Sequence, residues 1–182
     1  MKFKVTPQSI PDVLLIEPTV YADDRGYFME SFHQKDFEEF LPGVKFVQDN
    51  ESKSSRGVLR GLHFQRAPHA QAKLVRVIQG SIWDVALDIR PGFPTYGQHV
   101  AARLSAENHL QLFLPRGFAH GFIVTSDTAI VQYKTDNFYN PKADAGIHPH
   151  DPELNIPWPL PKEEHLLSGK DVALPPLRDL LQ

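Results

Sequence analysis

A histidine stands in an unusual strand-like stretch, residues 56–65, which contains two arginines and two glycines among apolar residues. Glycine inside a strand often marks a bulge or the close approach of a ligand. His63 in this stretch carries a side chain that exchanges a proton near neutral pH. An edge strand with solvated arginines and a hydrogen-bonded histidine explains the same residues. On the pattern alone, both interpretations stay open.

The second candidate stretch, residues 73–85, contains one lysine and one aspartate. Its pattern predicts a hairpin with a turn at Gln79-Gly80. In that hairpin Val75 lies opposite Asp84, and Lys73 is the diagonal neighbour on the same face. A lysine fixed beside a carboxylate inside a barrel suits the polarisation of a carbonyl oxygen. The alternative is a surface pair that contributes less than about 1 kcal/mol.

A second histidine, His120, lies between small and aromatic residues in stretch 114–122, at the entrance of a predicted strand. This position suits contact with a phosphate or hydroxyl group, or a histidine whose hydrogen bonds are satisfied within the fold. Metal-binding sandwiches usually offer two histidines one residue apart on a strand, but Gln65 follows His63 at that spacing. His148 and His150 have the spacing but lie in a proline-rich loop, so we expect no metal.

The composition of the chain argues against several classes of function. The net charge of -3 gives no basic field for nucleic acid, and no run approaches the roughly 18 apolar residues of a membrane span. There are no cysteines and no signal-peptide pattern, which fits a cytoplasmic protein. Neither an ATP-binding loop nor a dinucleotide-binding glycine motif occurs, so we expect no cofactor.

Short strands dominate the elements that must position these residues. The 16 prolines and 11 glycines punctuate the chain often, which favours short strands over long helices. Strands are predicted at 14–17, 26–32, 46–50, 58–64, 73–79, 81–88, 99–104, 111–114, 121–124 and 129–135, and short helices at 34–41 and 161–167. The pattern predicts an all-β sandwich or jelly roll with a few short helices. We expect a single domain over residues 1–182, with 140–182 packed on it as an extended loop and C-terminal segment.

A series of motifs in one order runs through nearly the whole chain. They are found at 23–32, 48–52, 57–65, 73–90, 94–97, 104–108, 115–122, 133, 136–141, 151–152, 156–159 and 167–171. With these motifs the chain resembles the dTDP-4-dehydrorhamnose 3,5-epimerases, a family with a cupin-type jelly-roll fold. The motifs together favour the functional interpretation that each one alone left open.

The resemblance implies a role for each matching residue. His63 would be the catalytic base and Tyr133 the proton donor. Asp171 would orient the imidazole and favour its charged form, and Lys73, supported by Asp84, would face the keto oxygen of the sugar. Substrate-binding positions would be Arg25, Phe28, Glu30, Gln48, Asp49, Asn50, Arg60, His120, Tyr139, Asp144 and Lys170. Asp144 stands where the family often has glutamate, which leaves its role open.

The implied substrate is a dTDP-linked 4-keto-6-deoxy sugar, dTDP-4-dehydro-6-deoxy-D-glucose, and the implied assembly is a homodimer in which Arg25 and its neighbours reach the other subunit's site. The C4 ketone acidifies the hydrogens on both C3 and C5, so inversion at these carbons requires no cofactor. Three alternatives stay open: an enzyme that inverts one centre or isomerises the keto group, a non-catalytic sugar-nucleotide-binding jelly roll, and a metal-dependent cupin oxygenase.

Overall fold

Two antiparallel sheets dominate the computed structural model, which describes residues 2–181. The strands are β1 (Phe3–Pro7), β2 (Leu14–Pro18), β3 (Val20–Asp23), β4 (Gly26–Met29), β5 (Gln48–Ser55), β6 (Leu59–Gln65), β7 (Lys73–Gln79), β8 (Ser81–Asp88), β9 (His99–Ser105), β10 (Gln111–Leu114), β11 (Phe118–Val124), β12 (Thr128–Thr135) and β13 (Asp144–Gly146). The larger sheet has the order β1-β2-β10-β7-β12-β5 and the smaller has β13-β6-β11-β8-β9, while β3 and β4 form a separate hairpin. This architecture confirms the predicted all-β jelly-roll sandwich.

Helix is confined to short segments. They are α1 (Gln34–Phe40), α2 (Gly169–Val172) and 3-10 turns at Lys162–Glu164 and Leu177–Leu181. The helix predicted at 34–41 is confirmed, whereas only one 3-10 turn occupies 161–167. Within residues 2–181, no helix is long and apolar enough to cross a membrane.

The main hydrophobic core fills the space between the two sheets. The larger sheet contributes the buried side chains of Val75, Val77, Leu112, Leu114 and Val131. The smaller sheet contributes those of Ile82, Ala86, Leu104, Phe118 and Phe122. A second cluster joins Phe37 of α1 to Leu74 on the outer face of the larger sheet. A third cluster joins Ile147 and Leu154 to Val85 on the outer face of the smaller sheet. The segment after residue 140 therefore covers the smaller sheet.

In strand β8, successive side chains alternate between the two faces of the smaller sheet. Val85 and Leu87 pack into the outer cluster beneath the C-terminal segment, and Ile82 and Ala86 pack into the core between the sheets. Most side chains on both faces are apolar because both faces are covered. Asp84 shares the inner face and is fully buried, so this carboxylate lies inside the sandwich.

The hairpin predicted for residues 73–85 is wrong. Strand β7 pairs with β10 and β12 in the larger sheet, and β8 pairs with β9 and β11 in the smaller one. The chain crosses between the sheets at Gly80, which has a φ of +75° and lies so close to Thr128 that an added Cβ would be 2.0 Å from its carbonyl oxygen. Lys73 and Asp84 therefore belong to opposite sheets and approach each other across the interior.

Polar strands are the elements that sequence patterns located least well. Strand β5 extends to Ser55, five residues beyond the predicted end, and β1, β3 and β13 were not predicted. Strand β5 forms an edge of the larger sheet, and its residues 49, 51, 53 and 55 are exposed. An edge strand of this kind lacks the hydrophobic alternation on which strand prediction depends.

Candidate active site

A cavity of about 700 Å³ opens between the two sheets. Its walls come from β5, β7 and β12 of the larger sheet, β6 and β11 of the smaller sheet, and the segment that leads into α2. The lining residues are Asn50, Glu51, Ser52, Val58, Leu59, Arg60, His63, Lys73, His120, Phe122, Tyr133, Leu166, Leu167, Ser168, Lys170 and Asp171. A larger cavity of about 1110 Å³ beside β1, β2 and α1 contains none of the predicted catalytic residues. The first cavity is therefore the candidate active site.

His63 lies against the carboxylate of Asp171. The Nε2 atom is 2.7 Å from Asp171 Oδ1, which is ion-pair distance, although the ring N–H is not aligned well enough for a good hydrogen bond. With Nε2 beside a carboxylate, the proton of the neutral ring is favoured there and the lone pair is left on Nδ1. Nδ1 is buried and has no hydrogen-bond partner within residues 2–181.

Burial controls the protonation of His63. Loss of solvent lowers the pKa of the imidazole below its usual 6.5, and Asp171 opposes this shift without overcoming it. The charges of Lys170 and Lys73 lower the pKa further. The resemblance implied that Asp171 favours the charged ring, and its effect has that sign. The net result is a neutral imidazole at pH 7, which is the form that can accept a proton.

Asp171 is fixed by a capping interaction at the start of α2. Ser168 Oγ donates to Asp171 Oδ2 at 2.8 Å and accepts from the Asp171 backbone N–H at 3.1 Å. Because the serine engages one carboxylate oxygen, the other is left for His63. Ser168 thus positions the partner of the candidate base.

Lys73 is a buried ammonium in the same cavity. Burial lowers the pKa of Lys73 from 10.5 to about 8, while the nearby carboxylates of Asp84 and Asp144 act in the opposite direction. Nζ lies 3.4 Å from the carbonyl oxygen of His63. At pH 7 the group is therefore charged, close to the candidate base, and able to stabilise a developing oxyanion.

Tyr133 faces the cavity from β12. Its ring centroid lies 5.6 Å from Lys73 Nζ and 6.2 Å from the ring of His120. Burial raises the pKa of the phenol above 10, and the positive charge of Arg60 opposes that shift. The hydroxyl is therefore protonated at neutral pH and can act as a proton donor.

His120 and Asp84 form a second buried pair on adjacent strands of the smaller sheet. His120 Nε2 lies 2.7 Å from Asp84 Oδ1, and both side chains are almost fully enclosed. His120 is also the register partner of His63. The histidine lines the cavity and Asp84 lies behind it, which fixes the orientation of the ring.

Gly61 allows strands β6 and β11 to approach closely beside this pair. The residue has a φ of +109°, and an added Cβ would lie 2.5 Å from the backbone oxygen of His120. The β6–β11 register shifts between His120 and Phe122, as expected for a bulge. The close approach indicated by the sequence is thus that of a neighbouring strand.

Two linked groups form the rim of the cavity. Gln48 donates to Asn50 Oδ1 at 3.0 Å and accepts from the Tyr139 backbone N–H at 3.0 Å. Asp144 accepts from the Tyr139 hydroxyl at 3.2 Å and forms an ion pair with Lys170. All five residues were predicted to bind substrate, and only Asn50 and Lys170 line the cavity directly.

Four predicted binding residues lie away from this cavity. Asp49 points to the outer face of the larger sheet, where it pairs with Lys134 at 2.9 Å. The remaining three are found on or just after the β3–β4 hairpin: Arg25, Phe28 and Glu30. Phe28 is 66% exposed, so within one chain this hairpin contributes nothing to the cavity.

The two histidines considered as metal ligands belong to a structural cluster. His150 Nε2 lies 2.8 Å from His165 Nδ1, and His165 Nε2 lies 3.0 Å from the Leu160 carbonyl oxygen. The backbone N–H of His150 donates to His148 Nδ1. Within residues 2–181, no three His, Asp or Glu side chains are placed to hold one metal ion. The cluster braces the proline-rich segment that leads to α2.

Sequence reasoning missed several residues of the cavity. Ser168 carries a detectable signal, because serine followed three residues later by an acid is a common helix-start pattern. Ser52, on the edge strand β5, gives no such signal. Phe122, Leu166 and Leu167 are apolar and cannot be told from core residues without the structure.

Comparison with known proteins shows which family the chain belongs to. The family model described as dTDP-4-dehydrorhamnose 3,5-epimerase matches residues 7–179. A dTDP-4-dehydrorhamnose 3,5-epimerase from Shigella flexneri is 55% identical over 169 residues, covering 92% of each chain. The chain therefore belongs to the dTDP-4-dehydrorhamnose 3,5-epimerase family, which confirms the resemblance.

Two solved structures show how closely the backbone is shared. A dTDP-6-deoxy-D-glucose-3,5-epimerase from Legionella pneumophila, in complex with dTDP-4-keto-L-rhamnose, is 47% identical with a TM-score of 0.93 and covers 97% of this chain and 93% of its own. A 3'-monoepimerase from Streptomyces bikiniensis, in complex with dTDP-quinovose, is 33% identical with a TM-score of 0.89 and covers 94% and 87%. The same fold thus occurs in enzymes described as double and as single epimerases.

Proposed function

We propose that this protein epimerises dTDP-4-dehydro-6-deoxy-D-glucose at C3 and C5 to give dTDP-4-dehydro-L-rhamnose. The observation that carries the proposal is the convergence of His63, Lys73 and Tyr133 on one cavity, with Asp171 against the histidine. A base, an oxyanion-stabilising cation and a proton donor are the three groups that an enolate mechanism requires. The identity of the substrate is inferred from membership of the family.

The first step is removal of a proton from a carbon next to the C4 ketone. His63 takes the proton, the electron pair of the C–H bond forms a double bond to C4, and the carbonyl oxygen becomes an oxyanion. The ammonium of Lys73 stabilises that oxyanion. No electron is gained or lost overall, so the chemistry requires no redox cofactor.

The second step returns a proton to the opposite face of the same carbon. The Tyr133 hydroxyl donates it, directly or through water, as the C4 carbonyl forms again. His63 releases its proton to solvent and Tyr133 is reprotonated. The same two steps at the other neighbour of C4 complete the double inversion.

We propose that this chain folds as a single domain and forms a homodimer. We also propose that the homodimer acts in the cytoplasm. Tyr21 and Phe28 are register partners on the β3–β4 hairpin and are 62% and 66% exposed, and an exposed aromatic patch of this kind is typical of an interface. If this hairpin reached the cavity of a second subunit, Arg25 and Glu30 of the first subunit would lie at the active site of the second. This accounts for predicted binding residues that lie outside the site of their own chain.

Deuterium incorporation tests the proposed reaction. The enzyme is incubated with dTDP-4-dehydro-6-deoxy-D-glucose in deuterated water, and labelled carbons are identified by NMR. We expect deuterium at both C3 and C5 together with the L-rhamno product. Label at one carbon only would make the protein a single-centre epimerase, and binding of the substrate without any label would make it a non-catalytic sugar-nucleotide-binding protein.

A further inference from the structure

Strand β5 presents a row of polar side chains to the candidate active site. Residues 48, 50, 52 and 54 are more buried than their neighbours, as the two-residue period of a strand requires. Asn50 and Ser52 line the cavity, and Ser54 lies one step further along the same face. Neither serine belongs to the set that the family resemblance implied.

Ser54 is bound to the side chain of Arg60. The Nε–H of Arg60 donates to Ser54 Oγ at 3.0 Å, and Ser54 is 7% exposed. Neither terminal nitrogen of Arg60 makes a hydrogen bond or ion pair with a residue in the range 2–181. The serine thus holds the guanidinium by its inner nitrogen and leaves its two outer amino groups for a ligand in the cavity.

Ser52 has a hydroxyl group without a protein partner. Its Oγ is buried and makes no hydrogen bond within residues 2–181, although buried polar atoms are nearly always paired. A serine hydroxyl offers one donor and two acceptor positions. Since Ser52 is two residues from Ser54 on the same face, about 7 Å along the strand, its hydroxyl and the Arg60 side chain border the same part of the cavity.

We propose that Ser52 and Ser54 are part of the site that holds the diphosphate of the substrate. Ser54 is a positioning residue that aims Arg60, whose planar fork matches the geometry of a phosphate group. Ser52 donates its hydroxyl directly to a phosphate oxygen beside that fork. The inference rests on the proposed function for the identity of the ligand, because a dTDP-sugar supplies the diphosphate.

Binding of dTDP and of thymidine to serine variants tests this assignment. Hydrogen bonds to charged groups are among the stronger ones, so we expect Ser54→Ala and Ser52→Ala each to weaken dTDP binding by about tenfold. Thymidine lacks the phosphates, so its affinity should change less than about twofold. Ser54→Thr keeps the hydroxyl and should restore dTDP affinity. Ser55→Ala is the matched control, because Ser55 is exposed on the same strand.

Steady-state kinetics and thermal unfolding separate this role from a merely structural one. We expect Ser54→Ala to raise KM with little change in kcat and to melt at nearly the wild-type temperature. Equal loss of affinity for dTDP and thymidine, or wild-type dTDP affinity in both alanine variants, would overturn the proposal. Wild-type deuterium exchange is measured in parallel. If the wild type exchanges substrate hydrogens and the serine variants bind dTDP normally, only the assignment of the serines fails. If the wild type shows no exchange but dTDP binding depends on the serines, only the proposed reaction is refuted.

Discussion

Burial shifts the pKa values of two side chains in the directions that the reaction requires. It lowers the pKa of His63, which keeps a base unprotonated, and it raises the pKa of Tyr133, which keeps a donor protonated. It also lowers the pKa of Lys73 to about 8, but neighbouring carboxylates keep the ammonium charged at neutral pH. The enclosed cavity therefore supplies a base, an acid and a cation at the same pH.

The pH dependence of kcat/KM follows from these shifts. His63 is active when neutral, so activity should fall on the acid side only as the pH drops through a value below 6.5. Lys73 is active when charged, so activity should fall again as the pH rises through about 8. Arginine keeps its charge at higher pH, and Lys73→Arg should move the alkaline fall upward. Lys142→Arg, at an exposed position, is the control, and an unmoved alkaline fall in Lys73→Arg would refute the role of Lys73.

Removal of the Tyr133 hydroxyl should separate the two steps of the reaction. Tyr133→Phe retains the base and the cation, so exchange of substrate hydrogens with deuterated water should continue. Inversion should lose at least about 100-fold, the usual scale for loss of a general acid. Both rates are measured by NMR in one reaction. Equal loss of exchange and inversion would show that Tyr133 contributes to binding instead.

The candidate active site depends on where two sheets and one short helix meet. Lys73 and Tyr133 come from the larger sheet, His63 and His120 from the smaller one, and Asp171 from α2. The helix has only four residues and owes its position to the Ser168 cap and the 148–167 segment before it. The shorter of the two α-helices thus carries the partner of the candidate base.

Loss of the α2 cap should reduce catalysis without unfolding the sandwich. Ser168→Ala removes both bonds to Asp171, and we expect a fall in kcat of about tenfold with a stability loss of about 1 kcal/mol. Deuterium exchange and thermal unfolding measure the two effects. Ser168→Asp, which can accept the backbone bond but repels the Asp171 carboxylate, should restore stability more than activity. Unchanged exchange in Ser168→Ala would show that Asp171 needs no cap.

The sequence predicted the sandwich and most central strands because buried strands carry long apolar runs, as β7 and β8 do. It could not place β7 and β8 in different sheets, since a turn at Gly80 fits a hairpin as well as a crossover. It missed the second half of β5, where polar residues of an edge strand hide the pattern. The catalytic set came from motif resemblance, whereas Ser52 and Ser54 became visible only through their contacts.

The β3–β4 hairpin has no evident role within a single chain. It forms its own two-stranded sheet and displays exposed aromatic residues beside Arg25. Arg25 pairs only with Asp23 of the same hairpin among residues 2–181. A hairpin that completes the site of a second subunit accounts for both observations.

Mixing two inactive variants tests exchange of the hairpin between subunits. If Arg25 serves the other subunit's cavity, an Arg25→Ala chain and a His63→Ala chain form a dimer with one intact site. Equal mixing after reversible dissociation should then restore about a quarter of wild-type activity, because half the dimers are mixed. The negative control is His63→Ala mixed with Asp171→Ala, since both residues act within one chain. No recovery in the first mixture would contradict a shared site.

Deuterium exchange by His63→Ala tests whether His63 is the catalytic base. We expect this variant, folded and still able to bind dTDP, to lose exchange at both C3 and C5 by at least about 1000-fold, toward the upper end of the range for general bases. His99→Ala, a histidine outside the cavity, should exchange at the wild-type rate. Exchange at the wild-type rate in His63→Ala would contradict the assignment of His63 as the base.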